Sequence, residues 1–444
     1  MSNLTALLIT YGLTNDSFPI EQDGRIWKWY SAPNIRGKSD ILWICLTTTF
    51  LCTYSLLSLN IPSPKDTDFQ IFRRRLQWML TAIMGPEIVL SYAAGQWSRA
   101  RHSRKAFHNS GYKQWSMRMA FFADMGGFVL KAKDSASFPL NAAQLHWLVV
   151  NGHVSYPSVS DEEIGDKSKQ DLLSKVVASL QAGYLLVSCI GRAAQGLSIT
   201  TLELNALAIV VCSLMTVVAW YNKPCDVRTA IVLHAEASAE EISSGRLWRT
   251  TPLDFVDANE PGYSMNVQPF MRMPVIPADR PIMRIPNDRF PTDPYGVQEY
   301  CVCLATLLFT GIHLVGWNFS FPSPLEQILW RVSSSILFGV TAVFWVLETA
   351  ASWVRLGRWR RILRLVSGRS QQQLDDVDEE VVGTKDIEER TQLPLPWEFW
   401  TIMPIAVVYG LARTYLLVEA VYGLRSLEMT ALITPQWSLA LPHI

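Results

Sequence analysis

The sequence predicts an all-α fold: a polytopic membrane helix bundle of about seven transmembrane helices, oriented N-in/C-out. Three observations predict it. Apolar residues gather into long uninterrupted runs, and charges fall in the gaps between them. The runs lack the two-residue alternation of a membrane barrel, which leaves helices to satisfy the backbone in lipid. Of 17 tryptophans, many stand with tyrosines at run ends, as do Trp27, Trp29, Trp220, Tyr221, Trp317, Trp397 and Trp400. Amphipathic rings favour that water–lipid boundary.

Residues 1–40 form a cytosolic N-terminal segment without the basic start of a secretory signal peptide. Residues 41–95 hold the first two spans, Ile41–Leu59 and Leu76–Ala94, the second containing Pro86 and Glu87. Residues 96–171 form a cytosolic module, in which the short apolar stretch Met119–Leu130 reads as a re-entrant or interfacial piece, or else as a buried helix. Spans three and four, Leu172–Ile190 and Leu202–Trp220, fill 172–220. Residues 221–298 are a cytosolic loop, extended and irregular because 252–297 carry nine prolines. Spans five and six, Tyr300–Trp317 and Val332–Trp353, lie in 299–354. Residues 355–396 are basic, then acidic and disordered: Arg355–Arg369 would lie on anionic lipid, ahead of the acidic run QQQLDDVDEEVVGTKDIEERTQ. Residues 397–444 hold span seven, Phe399–Tyr422, and the tail. At about 1.5 Å per residue each run can cross a ~30 Å hydrocarbon core. Most lysines and arginines fall on the cytosolic side of this topology; Arg73, Arg74 and Arg75 do not.

The formal net charge of +0 argues against nucleic acid as a partner. Seven cysteines, mostly inside apolar runs and without a CxxC, read as buried thiols. The nucleophile-elbow, zinc-protease, P-loop and dinucleotide-binding motifs are all absent. Asn3 and Asn15 open sequons on the cytosolic side, and Asn318 one too close to the bilayer for modification.

An ionisable group inside a span needs a partner or a task. The predicted intramembrane polar cluster is Glu87, His313, Arg413 and Glu419. Arg413 and Glu419 do not face each other on one helix, so Arg413 pairs with Glu87, as a structural ion pair or as the wall of a polar pocket. A second group is Asp161, Glu162, Glu163 and Asp166, just before span three. Ser160 with Glu163 makes a capping box. The same carboxylates, Asp161, Glu162 and Asp166 above all, are the only candidates for Mg²⁺ and a diphosphate. Candidate catalytic residues are thus Glu87, Asp161, Glu162, Glu163 and Asp166. Lys223 and Asp226 in WYNKPCDV read as a helix-end anchor, and Glu203 as a first-turn acid.

The blocks ILWICLTTTFLCTY, GPEIVLSYAAGQWSRAR, FFADMGGF, DEEIGDKSKQD with the following LQ and GLSITTLEL, WYNKPCDV and the terminal PHI resemble those of a large fungal family of uncharacterised multi-pass membrane proteins. Ala182-Gly183-Tyr184 departs from the aromatic pair the resemblance implies. The resemblance implies topology and fungal origin; it supplies no catalytic residue. Three functions stay open: a non-enzymatic sensor, scaffold or accessory protein; a membrane enzyme on an isoprenoid or lipid-like substrate, needing Mg²⁺; and a channel or transporter. The first needs no cofactor. The expected partner is the lipid bilayer; which membrane (endoplasmic reticulum, plasma or vacuolar) is left open.

Overall fold

The computed structural model describes residues 25–26, 36–133, 136–246, 248, 250–258, 280–287, 297–355 and 396–435. The fold is mostly helical. The chain enters as a two-residue strand β1 (Arg25–Ile26) and helix α1 (Lys38–Phe50), which continues as a π-helical turn over Leu51–Ser55. A π turn displaces backbone carbonyls from their usual partners. Here Cys52 O accepts from Ser213 Oγ at 3.4 Å and Tyr54 O from Arg75 at 3.3 and 3.4 Å. Helix α2 (Asp68–Met84) starts on a capping box of Thr67 and Gln70 and stops at Gly85. Pro86 then opens α3 (Pro86–Asn109) at the first helical position, where its missing N–H is no loss.

A module follows. It contains α4 (Met117–Asp124), the strands β2 (Phe128–Lys131) and β3 (Phe138–Leu140), α5 (Ala142–Val150) and α6 (Asp161–Asp166). After α7 (Lys169–Ala194) and α8 (Thr201–Ala219) the chain returns to it as β4 (Ile231–His234). The sheet order is β3-β2-β4, antiparallel then parallel. Its core is aromatic: Phe107 stacks on Trp115 at 4.0 Å between ring centres, and Phe122 meets Phe128 edge-on at 5.2 Å. The two glycines of FFADMGGF make this turn possible. Gly126 has φ +87, and a Cβ on Gly127 would lie 2.5 Å from Phe122 O.

The bundle closes with α9 (Val297–Val315), α10 (Pro324–Arg355) and α11 (Pro396–Tyr422), and strand β5 (Leu427–Glu428) pairs antiparallel with β1. Among the described residues five helices are long and apolar enough to cross a membrane: Leu173–Ala194, Thr201–Ala219, Tyr300–Asn318, Pro324–Leu347 and Met403–Arg425. α1 with its π turn packs along α7 and α8 beside them.

The two ends of the bundle differ. At one, Arg36 N donates to Leu432 O at 3.0 Å, Lys38 Nζ to Arg425 O at 2.8 Å, and Arg192 Nη1 to Ile433 O at 2.8 Å. At the other, Ile61 N donates to Met125 O at 3.0 Å, Asn60 N to Asn287 Oδ1 at 2.7 Å, and Arg75 pairs with Asp226 at 2.6 Å. The residues entering the bundle at 36 and leaving it at 435 therefore share one end, and the module occupies the other.

This corrects several sequence expectations. Leu76–Ala94 is not one helix: it breaks at Gly85 into the tip of a helical hairpin, α2–α3, whose outer ends both lie at the module end. Trp78 on one arm meets Tyr92 on the other at 5.3 Å. The described residues give five helices of spanning length and apolarity, so the count of seven and the N-in/C-out orientation find no support in them. Arg73–Arg75 join the module's side. Met119–Leu130 folds as α4 and β2, with Phe121, Phe122, Phe128 and Leu130 buried in the module core, as in the buried-helix alternative. The mixed sheet departs from a purely α fold. Trp27, Trp29, Asn3, Asn15 and the basic and acidic residues 356–395 lie outside the described residues.

Candidate functional site

α11 presents Tyr409 and Arg413, one helical turn apart on one face, to the tip of the α2–α3 hairpin. Arg413 is 0% exposed. Its Nε donates to Met84 O at 3.2 Å and its Nη2 to Ile83 O at 3.1 Å. These are end carbonyls of α2, which a helix leaves without internal partners and which favour a cation. Nη1 donates to Asn205 Oδ1 of α8 at 2.9 Å and to His313 Nε2 of α9 at 2.7 Å. Arginine only donates, so His313 Nε2 accepts and the ring proton sits on Nδ1, which faces Phe309 O at 3.1 Å. The guanidinium also lies 5.1 Å over the Phe309 ring. Asn205 completes the mesh by donating Nδ2 to Thr201 O at 3.1 Å and Leu416 O at 3.4 Å.

Glu87 stands in the first turn of α3, where the helix dipole favours an acid. Its Oε1 accepts the hydroxyl of Tyr409, and its Oε2 is buried without a hydrogen-bond partner among the described residues. Glu87 and Arg413 make no direct ion pair; the Glu87 carboxyl takes the Tyr409 hydroxyl instead of the expected Arg413 bridge. Glu419 is outside this mesh. It lies at the chain-end side of the bundle, by Gly423 and Thr201.

A second buried group fills the neck between bundle and module. Lys223 Nζ donates to Gln96 Oε1 at 2.8 Å and Asn60 Oδ1 at 3.3 Å and sits 4.7 Å from the Trp220 ring. Trp220 Nε1 donates to the same Gln96 oxygen at 3.0 Å. Burial lowers the Lys223 pKa to about 7, helped by Lys175 and opposed by Cys225 and Asp124. Burial also raises Asp124, which accepts from Ala142 N at 3.0 Å.

The acidic turn before α7 forms a helix cap. Ser160 Oγ accepts from Glu163 N at 3.1 Å, Ser116 holds Asp161, and Arg118 Nη1 donates to Asp161 O at 3.0 Å. Asp161, Glu162, Glu163 and Asp166 are exposed. No contact links them to Glu87. Among the described residues no group of three or more His, Cys, Asp or Glu is arranged to hold a metal ion. The buried thiols are Cys45, Cys52, Cys189, Cys212 and Cys225.

Sequence reasoning missed Asn205, Tyr409 and the chain-end cations. Asn205 is a polar residue in an apolar run, and Tyr409 precedes Arg413 by one turn; both signals were readable. Arg36 pairs with Glu203, and Arg192 reaches Ser198 O, Thr430 O, Ala431 O and Ile433 O. The first-turn acid of α8 is thus also half of a buried ion pair.

A family of unknown function, DUF8562, matches residues 7–259 and 297–444. The chain belongs to that family. The DUF8562 match takes in both arms of the hairpin, the module strands and α11, so every residue of the mesh and the neck lies within it. It leaves out 260–296, most of the proline-rich loop. No curated protein and no solved structure shows detectable similarity.

Proposed function

We propose that this chain is a multi-pass integral membrane protein of a fungal membrane, with the module in the cytosol and residues 36 and 435 on the opposite side. Its role is non-enzymatic, as a sensor or scaffold that couples the bundle interior to the module. Exposed aromatic rings support the embedding. Trp97, Tyr221, Tyr300 and Trp400 lie towards the module end, and Trp43, Trp317 and Tyr422 towards the other. Tyr300 and Trp317, on one helix, are about 26 Å apart at the helical rise, close to a ~30 Å hydrocarbon core. Between them outward residues are apolar, such as Leu304, Leu308, Val346 and Leu411. Arg73–Arg75 favour a cytosolic module, and Arg355–Arg369 would add contact with anionic lipid.

The observation that carries the coupling role is α3. It is one continuous helix from Glu87, beside the buried mesh, to Phe107, in the module core. The carboxylates needed by the lipid-enzyme reading stay apart. One observation favours transport instead: Glu419, Thr201, Asn205, Arg413 and Tyr409 on α8 and α11 lead to Glu87 on α3, and buried polar lines in bundles serve as relays.

Complementation of cells lacking the chain separates these readings. Glu87→Gln and the combined Asp161→Ala, Glu162→Ala, Asp166→Ala variant are expected to restore the phenotype. Asn60→Ala with Lys223→Met, which loosens the neck, is expected to fail while still reaching the membrane. A folded Glu87→Gln chain that fails would transfer the assignment to transport. Failure of the folded cap variant would transfer it to catalysis.

A further inference from the structure

We propose that α3 binds an anionic phospholipid headgroup where it leaves the bilayer, through Arg101, Arg104 and Lys105 with Trp97 beneath them. The site presupposes the embedded bundle and cytosolic module proposed above, and it makes the charge of the cytosolic leaflet the signal that α3 passes to the module core. Between Glu87 and Asp124 the chain has no acidic residue, and it carries Arg99, Arg101, Arg104, Lys105, Lys113 and Arg118. Trp97, Arg101, Arg104 and Lys105 share one face of α3, and all four are exposed. The Arg101 guanidinium lies 5.4 Å from the Trp97 ring. Nearby arginines are already taken: Arg74 by Asp66, Arg75 by Asp226 and Arg228 by Asp68. Arg101, Arg104 and Lys105 pair with no carboxylate among the described residues.

The register of the hairpin points to what covers this stripe. Trp78 meets Tyr92 at 5.3 Å, so residues equally far from Gly85 on the two arms share a depth. Phe69 therefore stands level with Arg101, and Phe72 lies about a turn nearer the tip. Both rings are exposed, Phe69 at 70% and Phe72 at 50%. A merely solvated basic face accounts for the cations but leaves these rings in water, where apolar surface is unfavourable. A headgroup layer accounts for both, because it offers apolar surface and anionic charge at one depth. At the helical rise Trp97 lies ~6 Å nearer the hydrocarbon than Arg101, and Lys105 ~6 Å further out. That interval takes in the headgroup region flanking a ~30 Å core, and long basic side chains reach phosphates from either edge of it.

The test is thermal unfolding of the purified full chain in neutral detergent, titrated with short-chain phosphatidylserine, short-chain phosphatidylcholine or inorganic phosphate. Phosphatidylserine is expected to raise the midpoint and saturate, as binding to the folded state requires; the other two are expected to leave it in place. Combining Arg101→Gln, Arg104→Gln and Lys105→Gln should weaken the response roughly a hundredfold in lipid concentration, at about fivefold per basic residue. The three side chains are exposed, so without lipid this variant should unfold at the parent's midpoint. Equal responses to phosphatidylserine and phosphatidylcholine would overturn the proposal, as would a full response in the triple variant. An equal response to inorganic phosphate would overturn it in favour of a plain anion site. Stabilisation by polyglutamate but not by phosphatidylserine would overturn it in favour of an acidic protein surface. A flat titration would remove the lipid site and leave the topology standing, since labelling from the two membrane faces reads the topology independently.

Discussion

Arg413 puts a full positive charge where no water reaches, and its neighbours are almost all neutral. Two carbonyls, an amide, an imidazole and a ring surround it, and the nearest carboxylate is engaged by Tyr409. A buried charge stripped of partners is strongly unfavourable, and so is a partner set stripped of its charge. Arg413→Met is therefore expected to cost ~3–5 kcal/mol. Arg413→Lys should recover little of it, because an ammonium cannot span helix-end carbonyls and the Asn205–His313 pair at once. Denaturation in detergent measures both; a lysine variant as stable as the parent would refute the fork geometry. Lys223 behaves differently, because its acceptors, Gln96 and Asn60, are neutral and an unprotonated amine can serve both. Its folded pKa of about 7 lies below the ordinary 10.5. The unfolded chain thus holds more protons between those values, and stability should rise with pH across that window. The slope should flatten in Lys223→Met; an unchanged slope would show that another group sets it.

At its tip the hairpin is hydrogen-bonded by Tyr409 and Arg413 of α11, while Leu90 packs against Ala208 of α8 and Phe309 of α9. Tyr409→Phe removes the only hydrogen bond to the Glu87 carboxyl oxygens among the described residues. Leaving that buried group unsatisfied costs ~1–3 kcal/mol. Amide exchange should accelerate over residues 81–90 and stay unchanged in β2; uniform acceleration would mean that the hairpin and the bundle open together. The same element shows where sequence reading stops. The run Leu76–Ala94 is apolar whether it crosses or turns back, and hydropathy cannot distinguish one full helix from two half-helices meeting at Gly85–Pro86. The break itself was legible as Pro after Gly; its depth in the bundle was not, because that depends on a side chain of α11 more than 300 residues away. Ser160 and Glu163 were readable as a cap because that bond is local. Glu419 and Arg413 are both ionisable groups in one apolar run, and only packing separates their neighbourhoods. FFADMGGF read as membrane-inserted because a module core and a lipid core select the same residues.

At the scale of the whole molecule, counting the hairpin as a crossing or as a turn-back decides half of the proposed topology. With the hairpin counted as a span, residues 60–75 and the module fall on opposite sides of the membrane. The contacts Ile61–Met125, Arg75–Asp226 and Lys223–Asn60 cannot then form, since each joins the two groups directly. With it counted as re-entrant, the arginine run, the module and the start of the proline-rich loop share one side, and Asn318 shares the other with residues 36 and 435. The charge bias across the bilayer follows the second arrangement without exception at Arg73–Arg75. Single cysteines at the exposed positions Lys65, Arg104 and Asn318, in a chain whose exposed Cys301 is replaced by serine, give a direct reading. In sealed vesicles an impermeant maleimide should reach Lys65→Cys and Arg104→Cys from the same face and Asn318→Cys from the opposite one. Labelling of Lys65→Cys and Arg104→Cys from opposite faces would restore the crossing at Leu76–Ala94. It would also dissolve the neck, the hairpin mesh and the coupling role built on them, since all three require α2 and α3 to turn back inside the bundle.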